Sequence, residues 1–161
     1  MSQIKVGDSI PSMKLMRATA DGPKEITTDD IFKGKKVVMF AVPGAFTPTC
    51  SARHLPGFVQ QAEALRAKGV DSIVCMAVND AFVMGVWGRE QGVGDDIIML
   101  ADGSAALTRA MGLELDLVAR GMGMRAQRFA LVAEDGRVTH LGVEAPGGFE
   151  VSRAEAILAA L

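Results

Sequence analysis

Lys35–Phe58 reads KKVVMFAVPGAFTPTCSARHLPGF, and the order of its parts points to a strand, a tight turn and a helix. Val37–Val42 is wholly apolar and follows the polar turn Lys33–Lys36, which predicts a strand buried on both faces. Pro43-Gly44 then turns the chain. Thr47 is a natural helix cap, and Pro48 suits the first helical position because the N–H it lacks has no partner there. This count makes Cys50 the third helical residue, beside unpaired backbone N–H groups and the positive end of the helix dipole.

The same alternation continues along the chain. Ser72–Val78 (SIVCMAV) and Ile97–Leu100 are further apolar strand candidates. Phe129–Ala133 and Val138–Val143 flank the turn Glu134-Asp135-Gly136-Arg137, which predicts a hairpin. Between them, Leu55, Phe58, Val59, Ala62 and Leu65 recur at helical steps, so Pro48–Lys68 reads as a helix kinked near Pro56-Gly57. Asp80–Glu90 reads as a helix with Phe82, Val83, Val86 and Trp87 on one side. Ser104–Met111 reads as another, stopped by Gly112. Ser152-Arg153-Ala154-Glu155 has the form of a capping box before Ile157, Leu158 and Leu161. Apolar strands alternating with helices predict an α/β sandwich whose sheet is covered on both faces.

The 161 residues suit a single domain spanning 1–161. With 49% hydrophobic and 22% charged residues the composition is that of a folded globular protein. A net charge of −2 without blocks of one sign argues against nucleic acid as a partner, and no apolar run is long enough to span a membrane. The opening MSQIKVGDS has no apolar signal core, so the expected location is cytoplasmic and the two cysteines, Cys50 and Cys75, are expected as thiols.

A helix N-terminus lowers the pKa of a cysteine and so favours the nucleophilic thiolate, with Arg53 and His54 expected to add positive potential. Other thiol chemistries lack their parts. The residue three beyond Cys50 is Arg53, so there is no Cys-x-x-Cys pair. The two histidines and two cysteines do not have zinc-ligand spacing. His54 and His140 do not form a cysteine-protease signature. A lone activated thiolate suits attack on the electrophilic oxygen of a hydroperoxide, which yields a sulfenic acid.

The segment PGAFTPTCSARHLPGF resembles the active-site signature of the type II (class V atypical) peroxiredoxins, with Pro43, Thr47 and Cys50 in the Pro-x-x-x-Thr-x-x-Cys positions. Val78–Met84, Trp87, Leu100–Gly103 and Arg128–Val132 are similar to the same family in the same order, so the resemblance covers the whole chain. It implies a thioredoxin-like fold, with a mixed central sheet flanked by helices on both faces. It also implies reduction of hydrogen peroxide and organic hydroperoxides without a metal, haem or flavin cofactor. Cys50 would be the attacking residue, Thr47 would bond peroxide and thiolate, Pro43 would shield the pocket, and Arg128 would stabilise the developing charge. Gly44 would line the pocket, with His54 and Trp87 as supporting neighbours, and a homodimer is the implied assembly.

Met122 and Met124 in RGMGMR read as gap-fillers. Cys75, in the middle of an apolar strand, reads as a small core residue; its alternative role is a resolving cysteine. No other cysteine is present, so regeneration by glutathione and glutaredoxin is expected. The alternatives are a thioredoxin-linked peroxidase that uses Cys75, and a redox sensor or holdase that does not turn over.

Overall fold

The computed structural model describes residues 2–161. The run after Lys35 forms β3 (Lys36–Val42), which is hydrogen-bonded in parallel to β4 (Ser72–Ala77) and antiparallel to β8 (Phe129–Glu134). Alternate residues of β3 face opposite ways. Val38, Phe40 and Val42 enter one apolar cluster, while Val37, Met39 and Ala41 enter another. Both faces are buried from Val37 to Val42, which is why that stretch contains no polar residue.

Parallel pairing continues to β5 (Ile98–Ala101), and β1 (Lys14–Thr19) with β2 (Gly22–Thr27) extends that edge antiparallel. β9 (Arg137–Val143) closes the other edge. The seven-stranded order is β2-β1-β5-β4-β3-β8-β9. The β8–β9 turn consists of Asp135 and Gly136, both at positive φ, as a two-residue hairpin of this twist requires. A separate hairpin, β6 (Glu114–Leu117) with β7 (Gly123–Ala126), lies outside this sheet.

Helices cover both faces, and the fold is the thioredoxin-like α/β arrangement with a mixed sheet. On one side pack α2 (Leu55–Gln60), α3 (Ala62–Ala67), α4 (Ala81–Gln91) and α6 (Ala154–Ala160), through Leu55, Phe58, Leu65, Met84, Trp87 and Ile157. On the other pack α1 (Thr28–Phe32) and α5 (Ala106–Ala110), through Ile31, Phe32 and Leu107. Among the described residues no helix is long and apolar enough to cross a membrane.

Three local expectations are corrected. The helix after Thr47 is not a single rod kinked at Pro56-Gly57: residues Cys50–His54 form a π-helical turn, and Gln61 separates α2 from α3. Proline explains the first distortion. In the π register the N–H of residue 56 would pair with the Ser51 carbonyl, but Pro56 has none. The Gln91 side-chain amide donates to that carbonyl instead, at 3.1 Å.

On α4 the buried side chains are Ala81, Met84 and Trp87, while Phe82 is 73% exposed and Val86 also faces solvent. The sequence AFVMGVWG is apolar at nearly every position, so periodicity did not fix which face turns inward. The last helix is not capped by Ser152. Arg153 occupies the cap position, and the Ser152 hydroxyl donates to Glu144 instead.

Residues 144–153 run as a strap from β9 to α6, crossing close against β9 itself. A Cβ on Gly142 would lie 2.5 Å from the Val151 carbonyl oxygen, nearer than real atoms approach. Gly142→Ala is therefore expected to displace the strap and cost about 1–3 kcal/mol of stability, measured as a lowered urea midpoint; an unchanged midpoint would show that the strap yields freely.

Candidate active site

The carboxyl end of β3 delivers the chain into the loop Pro43–Thr47, and helical backbone begins at Pro48. Thr47 accepts the Ser51 N–H with its carbonyl at 2.9 Å, as a cap residue does. Its hydroxyl does not cap. It donates to the Gly44 carbonyl at 2.7 Å, because the loop folds back over itself through Phe46 at φ +66°. The Asn79 side chain fixes this loop by accepting the Ala45 N–H at 2.9 Å.

Cys50 is the third helical residue and is completely buried. Arg128 Nη2 donates to its sulfur at 3.0 Å. Sheet register brings the two together. Ala41 of β3 pairs with Phe129 of β8, so the residue just before β8 stands beside the end of β3, where the Cys50 loop starts. The other guanidinium nitrogen, Nη1, lies 2.8 Å from His54 Nδ1, and His54 Nε2 lies 2.9 Å from the Ser152 carbonyl. Arginine can only donate and a carbonyl can only accept, so the proton sits on Nε2 and Nδ1 is the acceptor.

Burial, followed by the adjacent Arg128 charge, pushes the His54 pKa down to about 3. His54 is thus neutral, and the positive potential expected from it is absent. Arg53 also turns aside: its guanidinium stacks 4.7 Å above the Phe149 ring. Arg128 provides the charge at the sulfur.

A pocket of about 170 Å³ opens beside Arg128, lined by Pro43, Thr49, Gln127, Arg128, Glu144 and Pro146. Gly44 is buried at the opposite side of the loop. A Cβ there would lie 3.2 Å from both Arg125 Nη1 and Thr47 Cγ2, and 3.7 Å from Met122 Cε, so a larger residue would make these groups give by a few tenths of an ångström.

The family-model match described as Redoxin spans residues 5–158. Over 164 residues the chain is 46% identical to peroxiredoxin-2B of Arabidopsis thaliana, covering both proteins in full. Over 166 residues it is 50% identical to the chloroplastic peroxiredoxin-2E-2 of Oryza sativa subsp. japonica, covering 100% of this chain and 74% of that one. The solved structure of reduced Prx3 from Vibrio vulnificus in complex with hydrogen peroxide superposes with a TM-score of 0.93 at 52% identity, covering 98% of this chain and 99% of that one. The chain belongs to the peroxiredoxins. It is accordingly a thiol peroxidase, an oxidoreductase with antioxidant chemistry.

Within this peroxiredoxin the structure gathers Pro43, Gly44, Thr47, Cys50, His54 and Arg128 at one end of the sheet. Trp87 is buried nearby and donates from Nε1 to the Ser51 hydroxyl at 3.0 Å, anchoring the residue after Cys50. Cys75 lies opposite Phe40 in the centre of the sheet, and burial, followed by the proximity of Cys50, pushes its thiol well above the ordinary range. Met122 is half-buried with its Cε close to Gly44, while Met124 belongs to β7.

Sequence reasoning missed Arg125, Glu144, Phe149 and Ser152. Arg125 ties the β6–β7 hairpin to the site by donating from Nη1 to the Val78 carbonyl at 3.2 Å and from Nε to the Met122 carbonyl at 2.8 Å. Phe149 packs edge-on against His54, with ring centres 5.1 Å apart. Nothing in RGMGMR or in Val143–Ser152 marks these positions, since their ties to the site run through Val78, Arg128 and His54, all distant in sequence.

The neutral His54 makes stability sensitive to acid. Its folded pKa lies below the unfolded value, so the unfolded chain takes up a proton first as pH falls. This contribution is complete above about pH 6.5 and declines below it by up to about 1.4 kcal/mol per pH unit. Urea denaturation between about pH 7 and about pH 5 is expected to show that slope in the wild type and a flatter one in His54→Gln; equal slopes would remove His54 as the cause.

Proposed function

We propose that Cys50 is the peroxidatic residue of a glutathione- and glutaredoxin-linked peroxidase acting on hydrogen peroxide and organic hydroperoxides. The observation that carries the reading is the guanidinium of Arg128, a residue lining an open pocket, held 3.0 Å from a buried Cys50 sulfur. A cation there stabilises the thiolate and then the negative charge that develops on the peroxide. The sulfur attacks the terminal oxygen of ROOH. An S–O bond forms, the O–O bond breaks, sulfur loses two electrons, and RO⁻ leaves and takes up a proton as ROH.

Thr47 is suited to accept a hydrogen bond from the hydroperoxide O–H, since its own hydroxyl hydrogen is engaged by the Gly44 carbonyl. Pro43 forms part of the pocket wall and limits water, whereas Gly44, expected to line the pocket, faces Arg125 and Met122 on the other side of the loop. Regeneration follows by thiol exchange. Glutathione attacks the sulfenic sulfur, forming a disulfide and releasing water; a glutaredoxin thiolate or second glutathione then attacks that disulfide and restores Cys50. Cys75 is assigned to the core, because a buried thiol held above its ordinary pKa supplies little thiolate. The cycle requires a thiol-rich compartment, in keeping with a cytoplasmic setting.

A homodimer is part of the same reading. Phe46, Phe82 and Val86 are exposed, and the Phe46 ring lies 6.3 Å from Trp87 of α4, so apolar surface remains beside the site. Sedimentation velocity is expected to give a dimer that Phe82→Asp weakens; a monomeric wild type would remove this element.

The functional test is hydroperoxide consumption by wild type, Cys50→Ser and Cys75→Ser, each with glutathione plus glutaredoxin and with thioredoxin plus its reductase. Turnover is expected to vanish in Cys50→Ser and persist with glutaredoxin in Cys75→Ser. Loss of activity in Cys75→Ser with thioredoxin would make Cys75 the resolver. A wild type that turns over with neither system would leave the sensor reading in its place.

A further inference from the structure

Glu144 follows β9 and is tied to the site twice. Its backbone N–H donates to the Arg128 carbonyl at 2.9 Å. Its side-chain Oε2 accepts three hydrogen bonds from the strap, from the Glu150 N–H at 2.8 Å, the Ser152 N–H at 2.8 Å and the Ser152 hydroxyl at 2.6 Å. Burial alone would raise the pKa of this carboxyl, but the bonds from Ser152, Glu150 and Val151 outweigh it and hold the group below its ordinary range. The strap passes closely over it: a Cβ on Gly148 would lie 3.1 Å from Glu144 Oε1.

These contacts close a ring. The Ser152 carbonyl accepts from His54 Nε2, His54 Nδ1 accepts from Arg128 Nη1, and the Arg128 backbone accepts from Glu144. The Arg128 guanidinium carries this ring to the Cys50 sulfur, donating to it from Nη2. Ser152 and His54 are fully buried, so neither can exchange its protein partners for water without the strap lifting.

We propose that Glu144 is a positioning residue for Cys50, acting through Ser152, His54 and Arg128 to fix where the guanidinium meets the sulfur. The inference rests on Cys50 being the reacting atom. A carboxylate accepting three short bonds sets the strap by charge-assisted geometry. Bulk water in the same place would satisfy the donors but leave the Ser152 carbonyl free to drift, and with it His54 and Arg128.

The test is a double-mutant cycle on a Cys75→Ser background, so that Cys50 alone reports. Two rates are measured for each protein: single-turnover oxidation by hydrogen peroxide and alkylation by iodoacetamide. Glu144→Ala is expected to slow oxidation by about tenfold to a hundredfold, the scale of a small misplacement of a reacting group. Glu144→Gln keeps an acceptor oxygen and is expected to stay within about threefold of the parent. In an Arg128→Ala background, removing Glu144 is expected to change either rate by less than about twofold, because its hydrogen-bonded route to the sulfur is gone.

The proposal is overturned if Glu144→Ala oxidises at the parental rate, if glutamine is as slow as alanine, or if the loss is equally large without Arg128. Thermal unfolding separates a general loss of structure from these outcomes, since destabilisation alone would not depend on Arg128. If Glu144→Ala does not fold, Ser152→Ala removes only the 2.6 Å bond and is read in the same cycle. A parent thiol that alkylates but is not oxidised by hydrogen peroxide would overturn the peroxidase reading, and the alkylation cycle would still decide Glu144.

Discussion

A guanidinium 3.0 Å from a buried sulfur must itself be held, and much of the architecture around Cys50 serves that end. Arg128 has five N–H donors and is charged at every physiological pH, so burying its working end is costly unless those donors find acceptors. One donor meets the sulfur and another meets His54. A protonated imidazole could not accept that bond, which gives the acid-shifted histidine its purpose: burial keeps the ring neutral, and neutrality lets it receive the arginine.

The sheet supplies the coarse placement. β3 and β8 are antiparallel neighbours, so the end of one and the beginning of the other meet at the same edge of the molecule. Cys50 reaches that edge on a loop and a first helical turn, and Arg128 reaches it from the opposite chain direction. Finer placement comes from α4, where Trp87 and Gln91 hold Ser51 by its hydroxyl and its carbonyl. The π-helical turn therefore has side-chain partners where its own ladder lacks them.

The strands and the strand–turn–helix passage around Cys50 were legible in the sequence because local constraints fix them. Val37–Val42 is apolar without interruption, and Thr47-Pro48 can begin a helix with little penalty. The direction of Phe82 was not legible, because α4 has apolar residues all round and only the sheet behind it selects a face. The π turn was hidden for a related reason: Pro56 announces a distortion, but its form depends on Gln91, 35 positions away along the numbering. Arg128 was identifiable only by resemblance, since an arginine opening a strand ordinarily points to water. Ser152 was misread as a helix cap because Ser-x-x-Glu is a strong local pattern, and a charged acceptor at Glu144 outcompeted it. Local rules failed where distant side chains compete for the same hydrogen-bonding groups.

Cys50 has no surface of its own in this conformation, and that imposes an asymmetry in time. The pocket of about 170 Å³ beside Arg128 has room for a small hydroperoxide, whereas a bulkier thiol reductant would need a wider opening. Because the sulfur is fully covered, either partner reaches it only as the first helical turn moves, and the bulkier one needs the larger movement. Were that larger movement slow, it would set how quickly the oxidised protein is reset. An oxidised molecule that opens slowly stays exposed to a second oxidant for longer.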